Sequence, residues 1–263
     1  MSGKFFWYEL TTDDRAAAEA FYAKVIGWTL SPFGPPEDPY MIVEAGGRGV
    51  GGIMTMPSEA RDGGMKPCWV GYVHVTDIDA AVKKIADGGG KVHRAPEMIP
   101  TIGRFAVCAD PQGAIFNMLQ PDSTEEMPPV PMGTVGAIDW HELHSSDGQG
   151  GLKFYAEQFG WSATEALDMG PMGTYQMFAM EPATVSAECG VTVGGMMTDP
   201  QAPQPYWTFY FHVEDIDAAI GRIKDNGGAI LFGPQEVPGG AWIANALDPQ
   251  GATFSVAGPR AKA

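Results

Sequence analysis

Positive charge is scarce in this chain. Over 263 residues, 16 Lys and Arg stand against 32 Asp and Glu, a formal net charge of −16. Such a surface repels phosphate backbones and anionic headgroups, and no Lys/Arg cluster overrides it. Neither nucleic acid nor a membrane surface is an expected partner. Cysteine is scarce too. Cys68, Cys108 and Cys189 make 3, with no CxxC or other metal-type spacing. That excludes a zinc ribbon and a disulfide framework, and leaves reduced, mostly buried thiols. No apolar stretch is long enough to cross a bilayer. The chain starts Met1-Ser2-Gly3-Lys4 and enters a strand-like run, Phe5 to Leu10, without a signal-peptide pattern, so a cytoplasmic location is expected.

What is present is a hydrophobic content of 44%, enough for real cores, with 35 Gly and 22 Pro that fit many short strands joined by turns. The sequence also matches itself. Phe21-Tyr22-Ala23-Lys24-Val25-Ile26-Gly27-Trp28 returns as Phe154-Tyr155-Ala156-Glu157-Gln158-Phe159-Gly160-Trp161. Trp69 to Gly90 returns as Trp207 to Gly228, and Asp110-Pro111-Gln112-Gly113-Ala114 returns unchanged at Asp248 to Ala252. The period is too long for a solenoid, so the domain is duplicated. Pro-rich, acidic residues 121–134 read as an extended linker between domains at 1–120 and 135–258.

A finer repeat lies inside each copy. Trp7 to Leu10 alternates as a strand, Thr12-Asp13-Asp14 offers caps, and Arg15 to Ile26 has helical periodicity. Val70 to Val75, the cap Asp77 and the helix Ile78 to Ala86 repeat that order. Short strands follow at Tyr40 to Glu44, Val50 to Met54, Phe105 to Cys108 and Ala114 to Leu119. The unit is βαβββ, four times over, in an α+β chain. Phe21, Val25 and Ile26 share one helical stripe, a face for packing on the sheet. Residues 31–39, 58–67 and 198–205 read as long loops able to lid a cavity.

Paired βαβββ units with FY…GW after the first strand and DPQG before the last resemble the vicinal-oxygen-chelate (glyoxalase, bleomycin-resistance and dioxygenase) superfamily. The resemblance covers nearly the whole chain, and it implies two tandem half-barrel domains, each with a cup for a small molecule. It also implies a divalent metal held by His, Gln and Glu on the first, fifth and last strands. Counting from caps and turns places those positions on Trp7, Val70 and Asn117 in the first repeat, and on Trp140, Thr208 and Ser255 in the second. None is a good ligand, so no cofactor is expected, with a divalent metal the alternative. A one-residue slip would bring His141 to the first position of the second repeat, but would turn that strand inside out.

Strand alternation then sets the expected cup linings. Trp7 shares its face with Glu9 and Thr11, Tyr72 with Val70 and His74, and Asn117 with Ile115. In the second repeat Trp140, Glu142 and His144 share a face, as do Thr208, Tyr210 and His212, and Ser255 with Thr253. Trp and Tyr would stack on a flat, largely apolar ligand. Glu9 and Glu142 are the candidate catalytic bases, with His74 and His212 as partners. Glu142, His144 and His212 form the one set able to bind a metal if all three converge. The same residues equally fit a structural role, satisfying buried hydrogen bonds. Met-rich stretches around Met169 to Met180 and Met196-Met197 would suit varied ligands, and Gly51-Gly52 and Gly194-Gly195 allow close backbone approach. The readings left open are a metal-independent binder of a small hydrophobic or aromatic compound, a glyoxalase-like lyase, isomerase or dioxygenase, and an interaction module. The expected assembly is a monomeric pseudo-dimer or a homodimer.

Overall fold

The structure, a computed structural model, describes residues 3–37, 39–123, 130–181 and 191–261. Cys189 and residues 124–129 of the expected linker lie outside the described residues. The first repeat runs β1 (Phe5–Thr12), α1 (Arg15–Val25), β2 (Thr29–Phe33), β3 (Tyr40–Ala45), β4 (Arg48–Thr55), α2 (Ser58–Asp62), β5 (Cys68–His74), α3 (Ile78–Asp87), β6 (Lys91–Ile99), β7 (Gly103–Ala109) and β8 (Ile115–Pro121). The second runs β9 (Ile138–Ser145), α4 (Gly148–Phe159), β10 (Ser162–Asp168), β11 (Thr174–Ala179), β12 (Gly194–Thr198), β13 (Tyr206–His212), α5 (Ile216–Asp225), β14 (Ala229–Glu236), β15 (Trp242–Leu247) and β16 (Thr253–Gly258). Each repeat forms an eight-stranded sheet, in the order β2-β3-β4-β1-β5-β8-β7-β6 and its counterpart β10-β11-β12-β9-β13-β16-β15-β14. The architecture is α+β, with the βαβββ unit four times.

The helix starts follow the sequence signals. Asp14, Asp77, Asp147 and Asp215 are the N-caps of α1, α3, α4 and α5, and each carboxylate accepts the N–H three residues on. Two of the expected loops hold structure. Residues 31–33 lie in β2, which pairs antiparallel with β3, and Pro32 is tolerated because β2 is the outer strand of its sheet. Residues 58–62 wind into the short helix α2.

The chain condenses into two compact units. One comprises Met1–Phe6, Val70–Pro128 and Trp140–Trp207; the other comprises Trp7–Trp69, Pro129–Asp139 and Thr208–Ala263. Each unit therefore draws one βαβββ module from each repeat. In the first unit, the motifs that recur in sequence meet across the repeats. Tyr155 is fully buried; its hydroxyl donates to Asp110 Oδ2 at 3.4 Å and accepts from Trp207 Nε1 at 2.9 Å. Trp161 stacks on Tyr155 and Phe178, with ring centroids 4.9 Å away in both cases. The second unit repeats the device. Tyr22 donates to Asp248 Oδ2 at 3.1 Å and accepts from Trp69 Nε1 at 2.9 Å.

The aspartates do double duty. Asp110 Oδ1 accepts from the N–H groups of Gln112, Gly113 and Ala114, folding the turn that its motif encodes. Asp248 does the same with Gln250 and Ala252. Burial pushes both carboxyls up, and the backbone and tyrosine donors pull against it.

Removing one member of such a set strands the others. Tyr22→Phe leaves the Trp69 indole N–H without its acceptor, and is expected to cost about 1–3 kcal/mol. Asp248→Ala also unties the turn and should cost more. Urea unfolding of both variants checks the ranking; a Tyr22→Phe protein as stable as the parent would sink it.

Candidate functional site

Alternation along β1 and β9 separates two faces. Tyr8, Leu10 and Leu143 are buried on the helix side. Trp7, Glu9 and Thr11 take the opposite, open face of β1, and Trp140, Glu142 and His144 take that of β9. His141 belongs to the helix side. It is 5% exposed, its Nδ1 lies 2.8 Å from the Val193 carbonyl, and its ring stacks on Phe5.

One arrangement occurs in both repeats. Trp7 Nε1 donates to the Tyr40 hydroxyl at 2.8 Å, and Trp140 Nε1 donates to the Tyr175 hydroxyl at 2.8 Å. The hydroxyl end of the tyrosine ring lies close against a glycine of the neighbouring strand. A Cβ at Gly52 would fall within the Tyr40 ring, and one at Gly195 within the Tyr175 ring. The second glycine of each Gly-Gly pair is thus required by close approach. Gly195→Ala should push Tyr175 off its place, costing about 1–3 kcal/mol as overpacking does and releasing Trp140. A melting scan with Trp fluorescence checks this; an unchanged melting point and spectrum would refute it.

In the second repeat the pair continues into a chain of charge. Tyr175 donates to Glu142 Oε2 at 2.7 Å, and Glu142 Oε1 lies 2.8 Å from His144 Nε2. His144 Nδ1 lies 3.0 Å from Asp199 Oδ2, and the imidazole stacks on Tyr206 at 4.7 Å, tilted by 2°. The Glu142 and His144 side chains are only 12% and 13% exposed. Burial by itself would lower the His144 value, but the hydrogen bonds and charges of Glu142 and Asp199 outweigh it and raise it. Asp199 is held down by His144 and backbone donors against its own burial. Burial, then the two carboxylates, push the Tyr206 phenol up to about 12. With a carboxylate oxygen near each nitrogen, the protonated form of His144 can donate twice.

The first repeat lacks this chain. Its counterparts are Thr11 for His144, Met56 for Asp199 and Cys68 for Tyr206. Burial and then the Glu9 charge push the Cys68 thiol up to about 11, which keeps it protonated.

The remaining sequence-predicted residues go to separate places. His74 packs edge-on against Phe6. His212 Nδ1 pairs with Asp139 Oδ2 at 3.1 Å. Among the described residues no three His, Cys, Asp or Glu side chains come together as a metal site, so Glu142, His144 and His212 are not brought into one set. Ser255 Oγ lies 3.1 Å from Thr208 Oγ1 and accepts from Asn245 Nδ2 at 3.0 Å. Tyr72 and Tyr210 are 5% and 2% exposed. Asn117 is 6% exposed, and its Oδ1 has no hydrogen-bond partner among the described residues. At the strand positions where the resemblance places metal ligands stand two indoles whose N–H groups donate elsewhere, a valine, two hydroxyls and one amide. That donor set does not fit a divalent cation.

Sequence reasoning missed Tyr40, Tyr175, Asp199 and Tyr206. Tyr40 and Tyr175 carry a signal, since each precedes a Gly-Gly pair. The greater sequence distance from Tyr175 to Gly194 than from Tyr40 to Gly51 hides the match.

His144 gives the site a pH signature. Its folded value is raised, so its stabilisation is complete below about pH 6.5, the unfolded value, and fades as pH rises through the folded value. His141 acts oppositely: burial lowers it to about 4, so stability is lost as pH falls below about 6.5. Urea unfolding from pH 6 to 9 should therefore show the gap between parent and His144→Gln narrowing as pH rises. A gap that does not change with pH would rule the ion pairs out.

Comparisons with known proteins accord with this geometry. Residues 4–118 and 137–256 both match the family described as Glyoxalase/Bleomycin resistance protein/Dioxygenase superfamily. The chain is 30% identical over 256 residues to CFP32 of Mycobacterium tuberculosis, provisionally named a glyoxylase, covering 96% of this chain and 94% of that one. It is 31% identical over 276 residues to the anthracycline biosynthesis protein DnrV of Streptomyces peucetius, covering 95% and 91%. Among solved structures it resembles the Mn(II)-bound glyoxalase from Novosphingobium aromaticivorans, with a TM-score of 0.65 at 18% identity, covering 98% of this chain and 82% of that one. It also resembles homoprotocatechuate 2,3-dioxygenase from Brevibacterium fuscum, with a TM-score of 0.66 at 15% identity, covering 97% and 79%. Likeness at these identities concerns the fold alone.

Proposed function

We propose that this chain, which belongs to the Glyoxalase/Bleomycin resistance protein/Dioxygenase superfamily, binds a flat, largely apolar aromatic molecule on the open faces of its sheets, in the cytoplasm and without the family's divalent metal. The observation that carries this reading is the Trp–Tyr pair seated on a glycine in both repeats. Two aromatic rings fixed by a mutual hydrogen bond offer area at little entropic cost to a stacking ligand. Met177 and Met197 share the face of Tyr175 and Gly195, and their flexible thioethers adapt to ligand shape. Nearby donors bond one another instead of presenting lone pairs to a cation. The DnrV relative is named for anthracycline biosynthesis, and an aromatic ligand is in keeping with that name.

A second reading rests on the chain from Tyr175 through Glu142 and His144 to Asp199. A buried carboxylate bonded to an imidazole can exchange a proton with a bound ligand, so an acid/base isomerase or lyase on the second repeat is the rival.

Titration of Trp fluorescence with a panel of uncharged polycyclic aromatics, beside metal analysis of the same protein, tests both. Saturable quenching at low micromolar concentration, weakened at least tenfold by Trp140→Leu or Trp7→Leu, is the expected result. A stoichiometric tightly held metal, or no quenching by any compound, would overturn the leading reading. Turnover of a bound compound that Glu142→Gln abolishes would put the second in its place.

A further inference from the structure

The first unit holds a row of side chains with no equal in the second repeat. Tyr72 of β5 pairs with Asn117 of β8, Asn117 with Val107 of β7, and Val107 with Arg94 of β6. Residues directly opposite on adjacent strands share a face and stand about 5 Å apart. Tyr72, Asn117 and Arg94 therefore share one face across four strands, the first two buried in it and Arg94 exposed at its edge. Phe105, two residues from Val107, joins them, with the Arg94 guanidinium 5.0 Å over its ring centroid. Phe116 and Met118, on either side of Asn117, are fully buried on the helix side, which turns the Asn117 amide to the open face. Its Oδ1 is buried without a hydrogen-bond partner among the described residues. A buried carbonyl with no donor is a costly arrangement that a ligand's N–H or O–H would relieve.

The corresponding strip of the second repeat, Tyr210, Ser255, Asn245 and Phe232, is chemically closed. Ser255 bonds both Thr208 and Asn245, and an exposed phenylalanine takes the place of Arg94.

We infer that the Tyr72–Asn117–Arg94 strip of the first repeat is a binding site for an aromatic acid that also carries a hydrogen-bond donor, and that the second repeat has no such site. The acid group takes the Arg94 guanidinium, which its half-exposed ion pair with Glu97 leaves open to exchange. The donor reaches Asn117 Oδ1, and the ring lies beside Phe105. A local cation is needed because a chain of net charge −16 otherwise repels anions. This inference names a ligand class for the binding reading above and rests on it.

Calorimetric titration of the full chain with three probes tests the inference. The probes are 2-hydroxybenzoate, benzoate (no donor) and 2-hydroxybenzyl alcohol (no charge). The expected result is one site per chain, with 2-hydroxybenzoate at least tenfold tighter than either comparator. Arg94→Gln and Asn117→Leu should each erase that preference, while Phe232→Ala in the second repeat keeps it. Because the preference is measured on the parent protein, the test stands even if Asn117→Leu fails to fold. Affinities within threefold of one another, or a preference that survives Arg94→Gln, overturn the inference. If uncharged aromatics still quench Trp fluorescence, only this inference falls; if nothing binds, the binding reading falls with it.

Discussion

The structure depends on a buried tyrosine hydroxyl placed between an indole N–H and a carboxylate. Tyr155 and Tyr22 each sit fully buried, and a phenol in that position must find both a donor and an acceptor or be costly. Trp207 and Asp110 supply them for one, Trp69 and Asp248 for the other. The aspartate belongs to the opposite repeat from the tyrosine. Satisfying the phenol therefore requires that a module of one repeat pack on a module of the other. The same carboxylate folds its own turn, so local turn and long-range packing share one charged group. Unfolding either exposes the other, which is the physical content of cooperativity in each unit.

Once that scaffold is fixed, the open faces are free to differ, and they do. The first module of each repeat keeps the Trp–Tyr–Gly arrangement, in which the indole N–H donates to the tyrosine hydroxyl and the tyrosine lies against the glycine. Beyond it the chemistry diverges. In the second repeat an imidazole sits between two carboxylates. In the first, Thr11, Met56 and Cys68 hold those places. Asp199 and Met56 occupy the same backbone position, each N–H bonding the carbonyl at the end of the adjacent parallel strand, Ser145 and Thr12 respectively. His144 depends on Asp199: without it, a largely buried imidazole nitrogen would lack its partner.

The fold was legible because its signals are local or repeated. Asp14, Asp77, Asp147 and Asp215 cap helices through contacts three residues away, and duplicated motifs mark elements that the same packing demands twice. The strand at residues 29–33 was not legible. Pro32, with Gly34, Pro35 and Pro36 just beyond it, reads as a turn signal, and only the outer position of β2, a tertiary fact, lets Pro32 stand in a strand. In the site, alternation placed Trp140, Glu142 and His144 on one face. Alternation cannot say which neighbour a side chain bonds, and Tyr175 and Asp199 arrive from strands whose register no local pattern sets. The His141 alternative is settled by burial: its ring stacks on Phe5, so a slip would leave an imidazole and an aromatic core mismatched.

Trp7 and Trp140 stand at strand positions where the family resemblance implies metal ligands, and they make demands of their own. A metal site needs lone pairs, and an indole N–H offers only a donor. Putting Trp7 or Trp140 there obliges a partner acceptor, which Tyr40 or Tyr175 provides, and the tyrosine ring in turn obliges a glycine beneath it. Tyr175 then donates a hydrogen bond to Glu142, whose second oxygen is taken by His144. Replacing Trp140 by a metal-ligating side chain alone would leave the Tyr175 oxygen without its indole donor and vacate the space the indole fills. Converting this set to metal ligands would require several mutually dependent residues to change together, so a variant with half of either set would carry an unsatisfied buried group or a cavity. The recurrence of the whole set in both repeats, while the charged residues around it vary, is what that interdependence predicts.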